Sequence, residues 1–218
     1  GANPQFICCS ATISNPDKHF TALTGLDATV INKDTSPSGE KYFIFWNPPL
    51  IGSNGERRST NSEAVYLFTS LVKRGVRTIV FTLARKSAEL ILRYAKQQLD
   101  EEKSPAAAKI MSYRGGYRPE ERRLIERKLF KGDLLGVTST NALELGIDVG
   151  NLDASIITGY PGTIASTWQQ AGRAGRTGET SLAVLVAIDN PIDQFLMRHP
   201  DYFFGHNHEE AIVDPQNP

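Results

Sequence analysis

The sequence TIVFTLARKSAELILRYAKQQL, residues 78–99, places a strand directly before a helix. Its opening residues, 78–81, form a β-branched and apolar run, which is typical of a strand buried on both faces. The remainder carries apolar residues at helical spacing, and Ser87 is the predicted N-terminal cap of that helix. The apolar stripe consists of Ala88, Ile91, Leu92, Ala95 and Leu99. A buried strand followed by an amphipathic helix is the repeating unit of a parallel α/β sheet.

The same alternation runs through most of the chain. Pro119 suits a first helical position and Gly132 ends that helix, while Thr163 caps a further helix that runs through Trp168. The predicted strands are 42–46, 78–81, 109–111, 134–137, 154–158 and 182–187. This pattern predicts an α/β fold, a doubly wound parallel sheet with helices on both faces.

The beginning of the chain has a different pattern. The run FICCS, residues 6–10, is strand-like, a helical pattern follows over 15–23, and 29–31 predicts one more short strand. Pro37 and Gly39 then indicate a linker, with a boundary between about residues 34 and 40. We expect a leading segment, a main domain and the start of a connection to a following domain, at residues 1–35, 36–200 and 201–218.

The composition is that of a globular protein. Of 218 residues, 40% are apolar and 22% are charged, which excludes disordered and collagen-like chains. Lys plus Arg and Asp plus Glu both total 24, so any contact with nucleic acid must depend on locally arranged charge. Cys8 and Cys9 are adjacent and therefore poor partners for an ordinary disulfide, which favours a reducing, cytoplasmic location. No apolar run reaches the roughly 18 residues of a membrane span. Because the chain opens without an initiator Met, we interpret it as a fragment of a larger protein.

The motif QQAGRAGR carries the strongest functional signal. Gln169, Arg173 and Arg176 are spaced so that a continuing helix would align them along one face. Gly172 and Gly175 remove side chains beside the arginines, which would let a bulky anion approach. Two neighbouring guanidinium groups favour a phosphate, whose oxygens they bind bidentately. The alternative is a solvated helix end with ordinary surface arginines.

This motif resembles motif VI of superfamily 2 helicases, whose arginines reach the γ-phosphate of ATP across a cleft between two RecA-like domains. Four other stretches resemble further motifs of that superfamily, in the expected order: SAT, IVFTLARKSAE, YRGGYRPEERR and TNALELGID. The resemblance implies a second RecA-like domain, preceded by the last residues of the first. In that case segment 6–10 has lost its neighbouring strands and should pair with another copy, with this sheet, or with nothing.

The resemblance also implies roles for individual residues. The expected catalytic residues are Arg173, Arg176 and Gln169. The expected nucleotide contacts are Gly146 and Asp148. The expected nucleic-acid contacts are Thr82, Arg85, Arg114, Gly115 and Thr140. The expected residues for coupling between the domains are Ser10 and Thr12.

Three of the nucleic-acid residues are expected to lie together on physical grounds alone. Thr82, Arg114 and Thr140 each follow a predicted strand, and open parallel sheets bind ligands at the carboxyl ends of their strands. Hydroxyls, an arginine and open backbone N–H groups there would hold phosphates without reading bases. Taken alone, Thr140 is more simply explained as a helix cap.

The resemblance is greatest to the bacterial mitomycin-repair helicase (MrfA/YprA) group, carried by CCSATISNP, TNALELGIDVG and YPGTIASTWQQAGRAGR. It implies a DNA-repair helicase or translocase whose partners are single-stranded or partly duplex nucleic acid, DNA favoured, and the N-terminal RecA-like domain. That group carries a cysteine zinc site, but the cysteines for it are absent here, so no metal is expected. Leu145 and Gln170 stand where the DEAD-box RNA helicases have arginines, which disfavours an RNA helicase.

The chain lacks half of an ATP site. It contains no Gly-x-x-x-x-Gly-Lys-Ser/Thr sequence to hold the β- and γ-phosphates and no Asp-Glu-x-His/Asp sequence for Mg²⁺. We therefore expect ATP and Mg²⁺ to be held mainly by the first domain, and this chain alone to be inactive.

Two other functions compete with the helicase interpretation of the chain. A non-catalytic nucleic-acid-binding or interaction domain with a helicase-like fold is an alternative. A dinucleotide-binding domain is disfavoured, because the glycine spacing in GRAGRTG does not match that of such domains.

Several weaker signals have simple structural explanations. His206 and His208 are expected to be solvated, because two histidines do not close a zinc site. Trp46 and Trp168 favour packing over stacking on bases.

Overall fold

The centre of the computed structural model is a six-stranded parallel sheet. The structure describes residues 4–10, 12–33, 35, 39–52, 55–145, 150–175 and 178–213. In chain order the strands are β1 (Lys41–Trp46), β2 (Leu50–Ile51), β3 (Glu56–Arg57), β4 (Thr78–Thr82), β5 (Ile110–Tyr113), β6 (Gly136–Ser139), β7 (Ala154–Thr158) and β8 (Ser181–Val186). The sheet order is β1-β8-β7-β4-β6-β5, all parallel, and β2 pairs with β3 in a separate antiparallel hairpin.

Helices cover both faces of the sheet. Within the described residues they are α1 (Pro16–Thr24), α2 (Thr60–Lys73), α3 (Arg85–Glu101), α4 (Pro119–Lys131), α5 (Ile164–Ala171), α6 (Pro191–Arg198) and α7 (Pro200–Gly205). Alternate residues of β4 serve the two faces. Ile79 and Phe81 pack in the cluster that includes α4 and α5, whereas Val80 packs in the cluster with α2 and α3. The predicted doubly wound sheet is therefore confirmed.

Local signals located most elements correctly. All six predicted sheet strands are present, with ends shifted by at most two residues. Pro119 opens α4, and Gly132 ends it with a φ of +78°. Thr163 caps α5 by accepting a hydrogen bond from the Ser166 N–H at 3.0 Å. Capping and helix termination depend on residues within one helical turn of each other, so the local sequence is enough to predict them.

Three local predictions are wrong: the cap at Ser87, the strand at 29–31 and the strand at 6–10, where of the expected pairings the described residues show none. Ser87 does not cap α3, because the helix already begins at Arg85 and Ala84 holds the cap position. Residues 29–31 form no strand, and neither does segment 6–10, whose residues are all exposed. Neither segment has a partner strand in the sheet, and an isolated strand leaves its backbone groups unpaired. Of the predicted linker, residues 36–38 lie outside the described part of the chain.

A group of aromatic side chains attaches α7 to the edge of the sheet. Phe203 is fully buried, and its ring stacks on Trp168 with centroids 5.6 Å apart and an angle of 24°. Phe43 and Phe45 of β1 pack against the same ring, at 5.4 and 5.5 Å. Trp168 therefore packs in a core, as expected. The other tryptophan, Trp46, packs beside the core cluster formed with α2 and α3, and its Nε1 donates to a carboxylate oxygen of Glu63 at 2.9 Å.

The described residues contain neither a membrane-spanning helix nor a group of side chains that could bind a metal. No helix there is both long enough and apolar enough to cross a bilayer. In the same part of the chain, no three His, Cys, Asp or Glu side chains are grouped so that they could hold a metal ion.

Candidate functional site

The register of the sheet places three predicted site residues in one row. Phe81, Ser139 and Tyr113 are paired across β4, β6 and β5. The residues that follow them in the chain are Thr82, Thr140 and Arg114. The structure thus brings these three together at the carboxyl edge of neighbouring strands, where open parallel sheets bind ligands.

The two threonines of this row have different environments. Thr82 is buried, and its hydroxyl lies 3.0 Å from the carbonyl oxygen of Ala84 and 3.3 Å from that of Ser139. Thr140 is half-buried and precedes a short 3₁₀ helix, Asn141–Leu143, but its side chain does not cap that helix. The Thr82 hydroxyl is therefore engaged within the domain, whereas that of Thr140 is available to a ligand.

Arg114 is held in place by its neighbours. Its Nη1 lies 2.6 Å from Glu89 Oε1, and its guanidinium stacks over the ring of Tyr117 at 4.8 Å. Gly115 is exposed, and a Cβ added there would meet nothing within 4 Å, so its backbone is open to a ligand. Arg85 is the exposed first residue of α3.

Tyr113, which precedes Arg114, is held neutral. Its hydroxyl donates to Glu126 Oε1 at 2.7 Å. Burial, with this hydrogen bond to a carboxylate, raises the pKa of Tyr113 to about 12. A tyrosine with its ordinary pKa of 10 is already neutral at pH 7, so the raised pKa extends that neutrality into basic solution.

The helix of the QQAGRAGR motif ends earlier than expected. Helix α5 stops at Ala171, and Gly172 occupies its C-terminal cap, so the predicted alignment of the arginines on a continuing helix is wrong. Arg173 is 6% exposed and its Nε donates to the Glu144 carbonyl oxygen at 2.8 Å, a contact that a terminal nitrogen of the same guanidinium shares. Arg176, Gly146 and Asp148 lie outside the described residues.

The glycines of the motif serve close packing within the domain. Gly175 has a φ of +84°, and a Cβ there would lie 2.3 Å from Ser181 Oγ. A Cβ at Gly172 would lie 3.0 Å from the carbonyl oxygen of Trp168. The interpretation that the glycines leave open space for an anion is therefore wrong at Gly175, where Ser181 occupies that space, whereas at Gly172 the near neighbour is the carbonyl of the preceding helical turn.

Lys41 binds the turn that follows α5. Its Nζ donates to the carbonyl oxygens of Ala171 and Ala174 at 2.9 and 2.6 Å. Partial burial lowers the pKa of Lys41 below its ordinary value. One of these carbonyls belongs to the last residue of α5 and the other to the turn that follows it, and the Ala171 carbonyl also accepts from the Ala174 N–H at 3.3 Å.

The N-terminal segment contacts the motif helix. Thr12 accepts a hydrogen bond from Gln169 Nε2, and the Thr12 N–H lies 3.5 Å from Ser10 Oγ. Three residues later, the side chain of Asn15 binds both backbone groups of Ala211, donating to its carbonyl at 3.1 Å and accepting from its N–H at 2.9 Å. The structure thus joins Thr12 to the motif and the segment to the C-terminal tail, whereas Ser10, among the described residues, hydrogen-bonds only with Thr12.

The same tail caps helix α5. The Glu209 carboxylate accepts hydrogen bonds from the N–H groups of Ile164 at 2.6 Å and Ala165 at 2.9 Å. Desolvation raises the pKa of Glu209, but the hydrogen bonds from the N–H groups of Ala165, Ile164 and Glu209 itself, together with His208, hold the net pKa below the ordinary 4.5. A carboxylate is favoured here because the N-terminus of a helix carries partial positive charge.

A cavity of about 780 Å³ is lined by the N-terminal segment, by helix α5 with the residues after it, and by the tail. Its lining includes Thr12, Glu144, Gln169, Arg173, Phe204 and His206. Glu144 was not among the predicted site residues. The available signal was a single charged residue in the otherwise apolar stretch Ala-Leu-Glu-Leu, residues 142–145.

Comparison with known proteins identifies the family. The family described as helicase conserved C-terminal domain matches residues 61–178. The chain belongs to this family. The helicase resemblance predicted from the motifs is thereby confirmed, and the sheet is that of a RecA-like domain.

Relatives of this helicase C-terminal domain match it over nearly its whole length. YprA of Bacillus subtilis, an uncharacterized ATP-dependent helicase, is 47% identical over 100% of this chain and 29% of its own. The ATP-dependent helicase hrq1 of Schizosaccharomyces pombe is 42% identical over 98% of this chain and 20% of its own. The crystal structure of the helicase MrfA bound to DNA and AMPPNP superposes with a TM-score of 0.94 and 48% identity, covering 100% of this chain and 30% of MrfA. The chain thus spans less than a third of each relative.

Proposed function

We propose that the chain is the C-terminal motor domain of an ATP-dependent nucleic-acid helicase or translocase that acts on DNA in repair. The observation that carries this proposal is the row of Thr82, Thr140 and Arg114 at one carboxyl edge of the sheet. It combines an open hydroxyl, an ordered guanidinium and, at Gly115, an open backbone, which suit the phosphates of a single strand. The relative MrfA was crystallised with DNA, which supports a DNA substrate.

The QQAGRAGR motif would complete the ATP site of the first motor domain. In this proposal Arg173 and Arg176 stabilise the negative charge that develops on the transferred phosphoryl group, with Gln169 beside them. Gly146 and Asp148 would lie near the nucleotide. ATP and Mg²⁺ are held mainly by the first domain, because the present chain has no phosphate-binding loop or magnesium carboxylates.

The domain organisation follows from this assignment. Residues 1–35 would be the tail of the first RecA-like domain, 36–200 the second RecA-like domain, and 201–218 the start of the next connection. The hydrogen bond between Thr12 and Gln169 supports a role for the N-terminal segment in coupling the domains. Ser10 would act in the same step.

ATP hydrolysis by the full-length protein and by this chain alone tests the proposal. We expect DNA-stimulated hydrolysis only from the full-length protein, with Arg173→Ala and Arg176→Ala each lowering kcat by about 10³-fold. Arg74→Ala is the matched control, because Arg74 follows α2 and binds the carbonyl of Ser70. Hydrolysis by the isolated chain that survives Arg173→Ala would contradict the proposal. DNA binding without hydrolysis by the full-length protein would indicate a non-catalytic binding domain instead.

A further inference from the structure

A buried glutamate joins the segment after β6 to helix α5. Glu144 is 9% exposed, and its carboxylate accepts hydrogen bonds from Ser166 Oγ at 2.8 Å and from Gln170 Nε2 at 2.9 Å. Its backbone carbonyl is the group that binds the guanidinium of Arg173. One residue therefore holds the helix through its side chain and the motif arginine through its main chain.

We propose that Glu144 is a positioning residue that fixes the orientation of Arg173. A carbonyl can orient a guanidinium only if its own peptide is immobile. The preceding 3₁₀ helix is short, and its contribution at this point is the hydrogen bond from the Glu144 N–H to the Asn141 carbonyl at 2.9 Å. The two carboxylate hydrogen bonds to α5 supply the remaining constraint.

Gln170 is the matching partner in this arrangement. It is 4% exposed, and its backbone carbonyl accepts from Ser155 Oγ of β7 at 2.9 Å, so the helix is itself fixed to the sheet. An amide donates to the carboxylate without neutralising it. The Gln170 side chain therefore anchors the Glu144 carboxylate to a helix that is itself fixed, which holds the peptide whose carbonyl binds Arg173.

The hydrogen exchange rate of the Arg173 Nε–H, measured by NMR on this chain, tests the positioning directly. Glu144→Ala should raise the rate about tenfold, the equivalent of one buried hydrogen bond. The exchanged pair Glu144→Gln with Gln170→Glu keeps one donor facing one carboxylate and should restore the rate to within about threefold. Glu102→Gln is the matched control, because Glu102 accepts from Gln98 Nε2 at 3.2 Å at the far end of α3.

The outcomes separate this inference from the proposed function, on which its catalytic consequence rests. In the full-length protein, Glu144→Ala should lower kcat for ATP about tenfold and leave KM within about twofold, since the arginine acts mainly in the transition state. An unchanged Arg173 exchange rate in a folded Glu144→Ala chain would overturn the positioning role. If that variant does not fold, Glu144→Gln alone gives the same test. A wild-type protein without DNA-stimulated hydrolysis would refute the function but leave the exchange measurement decisive for Glu144.

Discussion

Gly175 of the QQAGRAGR motif packs against Ser181, the first residue of β8. An added Cβ would lie 2.7 Å from the Cβ of Ser181, which cannot move without shifting the strand. Gly178 also has a positive φ, +77°, but an added Cβ there would meet nothing within 4 Å. Comparing alanine substitutions at the two positions therefore distinguishes the loss of stability from backbone strain, present at both, from that of a steric clash, present only at Gly175.

We expect Gly178→Ala to lower the free energy of unfolding by about 1 kcal/mol through strain alone. Gly175→Ala should lower it by about 2–4 kcal/mol, because overpacking adds to the strain. Urea unfolding of the purified chain measures both values. Adding Ser181→Gly to Gly175→Ala should recover the difference, and equal losses for the two glycines would show that the close approach to Ser181 has no cost.

At the level of elements, helix α5 is fixed at both ends by distant parts of the chain. Thr163 and Glu209 together bind its first three N–H groups, and Lys41 binds carbonyls at its C-terminal end. Gln169, on the same helix, binds Thr12 of the N-terminal segment. Because the tail also holds Asn15, α5 is joined to the N-terminal segment both directly and through the tail.

The Glu209 cap predicts a specific dependence of stability on pH. Since the pKa of Glu209 is lower in the folded state than its ordinary 4.5, its stabilisation is present above that pH and is lost as the pH falls through the lowered value. Glu209→Gln should cost about 0.5–1 kcal/mol at pH 7, a small value because this carboxylate is exposed. The difference from the wild type should shrink in unfolding curves recorded below pH 4.5.

Glu210→Gln provides the matched control for this measurement. Its carboxylate lies 3.9 Å from Lys18 Nζ in an exposed pair, so its loss should change stability little at any pH. A Glu209→Gln effect that stayed constant down to pH 3 would contradict the capping role.

For the whole molecule, the balance of charges makes local charge decisive. Lys plus Arg equals Asp plus Glu at 24 each, so any attraction to nucleic acid must depend on local charge, and in the proposed function that charge lies at the carboxyl edge of the sheet. There Arg114 is paired with Glu89 at 2.6 Å. This pair weakens the attraction of Arg114 for phosphate while it holds the side chain in place.

Substitutions of the two partners should therefore change DNA binding in opposite directions. Arg114→Ala should weaken the binding of an oligothymidylate several-fold and reduce the slope of log K against log salt by about 0.7, the value for one single-strand phosphate. Glu89→Gln should tighten binding, because it removes a negative charge and releases the guanidinium. Fluorescence anisotropy over a salt series measures both. Lys73→Ala, which breaks a comparable pair with Glu102 at the far end of α3, should have no effect, and an equal effect would indicate non-specific attraction.

The sequence by itself determined the parallel sheet and the ends of α4, because alternation, Pro119 and Gly132 act on neighbouring residues. It also placed Thr82, Thr140 and Arg114 at one edge, since parallel strands bring their carboxyl ends together. Only the tertiary structure decided that α5 ends at Ala171.

The tertiary structure also decided that Ser181 fills the space at Gly175 and that Glu144 holds Arg173. Such contacts join residues far apart in the chain, 29 positions for Glu144 and Arg173 and 196 for Asn15 and Ala211. Local patterns carry no signal for pairs at these separations, because packing of the complete sheet creates the contacts.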